Sequence, residues 1–339
     1  MGSKAALLEF IFEKLGKLQY DSVFDAFSGS GVVAYEFKKR RKRVTTNDLL
    51  NFSYEICTAV IENSAQRLVE SDLAKLQTLR PNASSTVRDY FRDIYFTQEE
   101  CYFLDSLWTN ISEMPSSYKK HVAIAAACRA CQKRYPRGIF TVTGNKGQDH
   151  RRDFQIGLSE HFVNAVGMFN NAIFDNGKDN EAHCGNVMDF KRTDFDLVYL
   201  DPPYWSPLSD NDYVRRYHFV EGYSKYWKGL KIDEKTKTKK FDSNYYPTPF
   251  SKRESAGAAL NELFERFANS ILVLSYSSNC FPDMIELKRM LERVKDIVKV
   301  ERAAHRYSFA NQRQTVGRIK NQVDEYLFIG YDKKQKPLN

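Results

Sequence analysis

The sequence predicts an α/β protein: a largely parallel sheet interrupted by an inserted segment. Three observations predict it. Short apolar strands alternate with amphipathic helical runs toward both ends of the chain. The alternation stops between about residues 80 and 180, where Pro, Ser, Asn and basic residues change the punctuation. And two motifs of small or rigid residues each follow directly on an apolar strand, the edge at which open sheets of this class hold ligands.

The elements follow in order. Ala5-Ala6-Leu7-Leu8 through Ile11-Phe12 is amphipathic and predicts a first helix. Val23-Phe24-Asp25-Ala26-Phe27 predicts a strand, a glycine-rich turn follows, Val32 to Lys39 is helical again, and the β-branched run Val44-Thr45-Thr46 ends at Asn47-Asp48. A further helix carries the first zone to about Leu68. After the middle zone, strands are expected at Phe195 to Leu200 and Ile271 to Tyr276, then a helix near Met284 to Val294. The last two strands, Ile297 to Arg302 and Val323 to Tyr331, are adjacent in sequence and predict a hairpin with a long loop. Three regions result: 1–79, an insertion at 80–180, and 181–339.

With 339 residues, 42% hydrophobic and 14% aromatic, the chain can bury one large or two moderate cores, which excludes a disordered or fibrous protein. Fifty-one Lys and Arg against 43 Asp and Glu leave a net charge of +8, which favours polyanionic partners and puts nucleic acid first. No stretch approaches the roughly 18 apolar residues of a membrane span, and the amino terminus enters an amphipathic segment without a signal-peptide core. A soluble, intracellular protein is expected. Six scattered cysteines make no disulfide framework. The lone pair Cys128 and Cys131, in the helical run Val122 to Tyr135, reads as two buried side chains rather than half of a zinc site.

Two motifs carry chemistry. Asp25-Ala26-Phe27-Ser28-Gly29-Ser30-Gly31 joins a strand to a helix, where small residues let a ligand approach backbone N–H groups. It lacks the third glycine of a dinucleotide fingerprint. Asp48, some 20 residues on and just past the next strand, suits hydrogen bonding to ribose hydroxyls, so the pair reads as a site for an adenosine-containing cofactor. The second motif, Asp201-Pro202-Pro203-Tyr204, follows the strand ending at Leu200. Two prolines fix φ and leave rigid carbonyls. A carboxylate and such a carbonyl can accept both hydrogens of an exocyclic amino group and aim its lone pair at an electrophile, while Tyr204 stacks on an extruded base.

This combination resembles the amino-group DNA methyltransferases, specifically the Dam-like, alpha-group adenine-N6 class. Phe27-Ser28-Gly29-Ser30-Gly31 matches the family's F-x-G-x-G, Asp201 to Tyr204 its D-P-P-Y, and Gly2-Ser3-Lys4 its leading G-x-K, whose lysine lies near the cofactor. The order of motifs is also the family's. The resemblance implies a Rossmann-like seven-stranded methyltransferase sheet with an inserted, mainly helical target-recognition domain, S-adenosyl-L-methionine as methyl donor, and a flipped adenine in double-stranded DNA as acceptor. The catalytic set would be Asp201, Pro202, Pro203 and Tyr204. The cofactor would be held by Lys4, Asp25, Phe27, Ser28, Gly29, Ser30, Gly31, Asp48, Asn186 and Asp201. At the turn Cys184-Gly185-Asn186 the sequence departs from the family, which often places a carboxylate there, and Asp189 competes with Asn186 for that role. No metal and no histidine base is called for, so His218 and His305 read as structural or phosphate-facing.

DNA contact is expected chiefly in the insertion. There Lys119, Lys120, Arg129, Lys133, Arg134, Arg137, Lys146, Arg151 and Arg152 alternate with loop formers and with Tyr135 and Phe140. Sequence recognition is expected between Arg134 and Arg152, with Arg134, Arg137, Lys146, Arg151 and Arg152 as the contacts. The basic run Lys38 to Arg43 reads first as a helix end complementing its dipole. Lys225 to Lys240 and Arg313 to Lys320 are expected as mobile DNA-contacting loops. The aromatic cluster Tyr217, Phe219, Tyr223 and Tyr226 reads either as pocket lining or, by its helical spacing, as core. Restriction-modification is the setting the resemblance implies, with a cognate endonuclease as partner and a cytoplasmic, nucleoid-associated location in a bacterium or phage. Monomer and dimer remain open. Two other readings stand beside this one: a DNA cytosine-N4 methyltransferase, and a basic DNA-binding module with a vestigial cofactor site.

Overall fold

Seven strands form one sheet in the order β3-β2-β1-β4-β5-β7-β6. The computed structural model describes residues 4–141, 152–205, 213–306 and 322–335. The strands are β1 Ser22–Asp25, β2 Arg43–Asp48, β3 Glu181–Cys184, β4 Leu197–Leu200, β5 Ile271–Ser277, β6 Ile297–Arg306 and β7 Gln322–Tyr331. The first five run parallel, and β7 is antiparallel to both β5 and β6. β1, β4 and β5 are buried along their whole length, as strands covered on both faces by crossover helices must be, which is why they read as unbroken apolar runs. The expected terminal pair is present, with β7 inserted between β5 and β6.

The register decides where the motifs meet. Asp25 pairs with Thr46 on one side and Tyr199 on the other, and Asp48 pairs with Cys184. The carboxyl ends of four adjacent parallel strands therefore deliver Asp25, Asp48, the Gly185-Asn186 turn and Asp201 to one edge. The chain order reverses between β1 and β4, the position at which an open sheet leaves a crevice for a ligand.

Helices α1 Leu8–Leu15, α2 Val32–Lys39 and α3 Asn51–Cys57 flank the first strands. Between β2 and β3 the described residues contribute no strand to the sheet. They form α4 Glu70–Leu76, α5 Thr86–Phe91, α6 Gln98–Ser112, α7 Tyr118–Arg134, α8 Arg152–Gln155 and α9 Leu158–Ala172. The alanines of α7 (Ala123, Ala125, Ala126, Ala127 and Ala130) are all buried, and their small side chains let neighbouring helices approach its backbone closely. Cys128 and Cys131 lie on the same helix, both buried, with the Cys128 thiol directed at the Val220 carbonyl 3.6 Å away. After β4 come α10 Tyr213–Lys225, α11 Arg253–Arg266 and α12 Met284–Glu292. None of the described helices is long and apolar enough to cross a membrane.

Four of the six cations at residues 38–43 are spent on the fold. Lys38 is buried and donates to the carbonyls of Val60 (2.9 Å) and Asn63 (3.0 Å), Lys39 and Arg40 pair with Glu36, and Lys42 donates to the Tyr20 carbonyl. Desolvation brings the Lys38 ammonium down to about 8.

At the end of α10, the indole of Trp227 folds back over Gly222. A Cβ on Gly222 would meet that ring at 2.2 Å, nearer than any real contact. Replacing glycine by alanine inside a helix ordinarily stabilises it by up to about 1 kcal/mol. For Gly222→Ala the overpacking reverses the sign, and a loss of about 1–3 kcal/mol is expected. A urea unfolding curve checks this: a midpoint at or above wild type would contradict the packing described.

Candidate active site

The site is built from the sheet edge outward. At the end of β1 the chain turns through Gly29 and Gly31, whose φ values of +52° and +72° are left-handed and favour glycine. At Gly31 a Cβ would also press on the Cys57 thiol at 3.3 Å. Asp48, at the end of β2, holds this loop. Its Oδ2 accepts from the Gly29 N–H at 2.7 Å and its Oδ1 from the Leu50 N–H at 2.9 Å. Burial is the main influence on its carboxyl, raising it to about 6 against the pull of those backbone donors. Asn47 beside it donates to the carbonyls of Ala26 (3.3 Å) and Gly185 (3.1 Å), tying three strand ends together.

Asp25 lies beneath the loop, 1% exposed, and neither of its carboxylate oxygens has a hydrogen-bond partner among the described residues. The nearby N–H groups of Phe27 and Ala34 favour its charge, but desolvation and the charges of Asp201 and Asp48 push its carboxyl well above the usual range. A buried orphan carboxylate is rare, because its desolvation goes uncompensated unless a ligand completes it.

Asp201 follows β4. Lys4, from the amino-terminal turn, places its ammonium 3.2 Å from Asp201 Oδ1 and pairs also with Glu325 of β7. Glu325 is 2% exposed and accepts from the Ser275 hydroxyl of β5 at 2.8 Å. Burial raises the Asp201 carboxyl to about 6, Lys4 pulls it down and Glu325 pushes it up. Tyr199 and Tyr213 stand in the same electrostatic environment, and burial raises both phenols.

Lys4, Asp25, Asn47, Asp48, Tyr199, Asp201 and Tyr213 line one cavity of about 520 Å³. One end holds Asp25, Phe27, Ser28, Gly29, Ser30, Asn47, Asp48 and Leu49, with Gly185 to Val187 alongside, and the other holds Lys4, Asp201, Pro203, Tyr204 and Trp205. Tyr213 and Tyr217 of α10 line it too, and so does a strap from Asn244 to Lys252. In that strap Phe250 packs edge-on against Phe27 at 5.1 Å, and the Tyr246 hydroxyl donates to the buried Glu221 at 2.5 Å.

Most of the expected site residues converge here. Asn186 lines the cavity, although its side-chain oxygen already accepts from the Met188 N–H at 3.1 Å. Asp189 is exposed and is not part of the lining. Gly31 and Pro202 stand behind the lining, with Pro202 buried. The aromatic cluster divides: Tyr217 lines the cavity, whereas Phe219 and Tyr223 are wholly buried core. His218 is structural, with Nε2 3.0 Å from both the Tyr95 hydroxyl and the Phe140 carbonyl, and burial lowers it to about 4.

The expected DNA contacts do not come together in this way. Arg134 pairs with Glu100 and donates to the Phe154 carbonyl at 2.9 Å, Lys133 pairs with Asp153, and Lys119 with Asp72. Arg137 and Arg152 are placed only by their backbone, in the turn Pro136–Gly138 and in α8. Lys146, Arg151 and the connection Arg313 to Lys320 lie outside the described residues.

Sequence reasoning missed Glu325, Asn47 and the strap. Glu325 follows Asp324 near the head of the last strand, and nothing in that pattern singles it out. The strap carries no motif.

Comparison with known proteins agrees with this geometry. The chain is 26% identical over 352 aligned positions to the Type II methyltransferase M2.HphI of Haemophilus parahaemolyticus, covering 97% of this chain and 96% of that protein. It is 25% identical over 374 positions to Modification methylase StsI of Streptococcus sanguinis, and 25% identical over 307 positions to the Type II methyltransferase M.FokI of Planomicrobium okeanokoites. Those two alignments span 53% and 44% of the relatives' own lengths. A family model matches residues 1–277, which include every strand from β1 to β5 and both chemical motifs, and by that match the chain belongs to the D12 class N6 adenine-specific DNA methyltransferases.

Proposed function

We propose that the chain transfers a methyl group from S-adenosyl-L-methionine to the N6 amino group of an adenine extruded from double-stranded DNA. It acts as the modification enzyme of a restriction-modification system, in the cytoplasm of a bacterium or phage-infected cell, with a cognate endonuclease as its functional counterpart. One observation carries the reading: a single cavity is lined both by the Asp48 carboxylate with the glycine loop it holds and by the carboxylate of Asp-Pro-Pro-Tyr.

The residues present fit the cofactor. Asp48 retains lone pairs for a ribose, Phe27, Leu49, Val187 and Phe250 offer apolar walls for an adenine ring, and the unpartnered Asp25 carboxylate suits a cationic group. When bound, the cofactor supplies an electrophilic methyl on a sulfonium, so the protein needs no metal and no covalent nucleophile. Lys4 occupies Oδ1 of Asp201, which leaves Oδ2 to accept from the amino group. Asp201 thereby orients the nitrogen and stabilises the positive charge that develops on it, with the Pro202 carbonyl as second acceptor. Tyr204 stacks on the base, and the displaced proton leaves to solvent. Target recognition is assigned to residues 80–180, with Arg134, Arg137, Lys146, Arg151 and Arg152 as the proposed contacts.

The direct test is incubation with labelled S-adenosylmethionine and unmethylated genomic DNA, followed by digestion to nucleosides. Label in N6-methyladenine is expected. Label in N4-methylcytosine would overturn the base assignment, and no label with cofactor binding intact would overturn the reading.

Three consequences follow from the charges. Asp201→Asn keeps the shape but loses the charge, and should lower the single-turnover rate by about 10² or more while leaving cofactor affinity within a few-fold. Asp48→Ala should weaken cofactor binding by roughly ten- to a hundred-fold in calorimetry, because charge-assisted hydrogen bonds contribute about 1.5–3 kcal/mol. Finally, Asp201 works ionised, so the single-turnover rate at saturating cofactor should fall as pH drops below about 6. Glu325→Gln removes the neighbouring negative charge and should move that acid limb to lower pH. A limb that stays in place would separate Glu325 from the chemistry.

A further inference from the structure

Of the insertion cations that sequence patterning assigned to DNA, Lys119, Lys133 and Arg134 are paired with carboxylates of their own fold, which raises the question of which cations remain free. The segment from Lys225 to Arg253 carries nine Lys and Arg against three carboxylates, in a chain whose whole excess is eight. Lys228, Lys231, Lys235, Lys237, Lys252 and Arg253 are all exposed, and none forms an ion pair among the described residues. Leaving that many like charges unpaired and close together costs stability by self-repulsion, so an unpaired cluster points to a polyanion that neutralises it.

The segment is anchored. Its root turns at Tyr226 and Trp227, with φ of +49° and +53°, where the Tyr226 hydroxyl donates to the buried Asp105 at 2.6 Å and Trp227 stacks on Phe91 at 4.8 Å. Farther out, the Thr238 carbonyl accepts from the buried Tyr95 hydroxyl at 2.9 Å, and Ile232 bridges to Phe241. The lysines are thus presented on a fixed tongue, and the chain passes from it directly into the strap that lines the cavity. Free cations stand at both ends of that strap. On one side is the tongue. On the other are Lys252, itself part of the cavity lining, and Arg253, whose guanidinium lies over Trp205 (5.5 Å) and Phe281 (5.3 Å), immediately beyond Asp-Pro-Pro-Tyr. Between them Tyr245 is 48% exposed beside the cavity-lining Tyr246.

We propose that the tongue and the Lys252-Arg253 step together form the surface that grips the phosphate backbone of the DNA duplex on either side of the extruded nucleotide. The proposal rests on the DNA-methyltransferase reading above. Phosphate contacts position a duplex without reading its sequence, so this surface sets where the target nucleotide meets the cavity and leaves base recognition to other residues.

The test compares wild type with the triple variant Lys231→Gln/Lys235→Gln/Lys237→Gln. A control triple removes the same charge from the exposed α12 region, as Lys288→Gln/Arg289→Gln/Arg293→Gln. DNA affinity is measured by fluorescence anisotropy from low to moderate salt, and cofactor affinity by calorimetry serves as the check on folding. Each lost phosphate contact should reduce the slope of log affinity against log salt by about 0.9. The tongue triple should therefore lose between two and three units of slope with cofactor affinity retained, and the control should lose none. An unchanged slope in the tongue triple would overturn the proposal, as would an equal loss in the control. If wild type itself binds and methylates no DNA, the functional reading fails. If wild type methylates DNA and the tongue triple keeps its slope, the surface assignment alone fails.

Discussion

The pairing of Lys4 with two carboxylates, Asp201 and Glu325, is the interaction on which the site depends. Three strands must be in place before it can form. β4 ends at Asp201, β5 supplies the Ser275 hydroxyl, and β7 must run antiparallel beside β5 so that Glu325 falls opposite Ser277. The amino-terminal turn is then drawn onto the sheet by charge as well as by apolar packing. The Lys4 ammonium supplies a counter-charge against the desolvation that raises the Asp201 carboxyl. Placed there, Lys4 keeps Asp201 able to carry its charge, and Glu325 keeps Lys4 from committing wholly to Asp201.

The same edge stores an electrostatic cost. Asp48 and Asp201 both reach about 6, and Asp25 stands well above the ordinary carboxylate value of 3.8. For a carboxyl raised in the folded state, folding favours proton uptake between the unfolded and folded values. The stability contributed by Asp48 and Asp201 therefore declines as pH rises through roughly 4 to 6, and above that window their penalty is fixed. This is the reverse of a well hydrogen-bonded carboxylate such as Asp196, where, against desolvation, the backbone N–H groups of Asp21 and Ser22 hold the carboxyl low. Three carboxylates raised by burial around one cavity are the arrangement expected of a functional site rather than of one shaped for stability.

Much of this was legible in the sequence because it is local. A short apolar strand followed by small or rigid residues fixes where a turn falls. Parallel pairing then brings successive strand ends to a common edge, so Phe27 to Gly31, Asp48 and Asp201 to Tyr204 could be placed before any coordinates. Glu325 could not. It acts on Lys4 across 321 positions of chain, and nothing in a strand pattern says which residue will face it. The strap from Asn244 to Lys252 was equally silent, since its role comes from lying over the cavity rather than from its composition. Helical spacing left Phe219 and Tyr223 open between pocket and core, and the packing of α10 against α3 and α7 settled them as core.

Charge is the property that sequence reports least faithfully, because a basic residue reads the same whether it is free or spent. Lys38 is buried on two carbonyls, and Arg134 is bound to Glu100 and to a main-chain carbonyl. By density alone, 38–43 is the most basic run in the chain, yet several of its charges are already matched within the fold. A cation satisfied in this way must break its internal contacts before it can serve a phosphate, and the replacement gains little. An exposed lysine with no partner, such as Lys231 or Lys235, meets a phosphate with only water and counterions to displace, and that release favours association. The residues best able to attract a polyanion are therefore those the fold left unmatched, and a group of them lies on the segment that continues into the wall of the cavity.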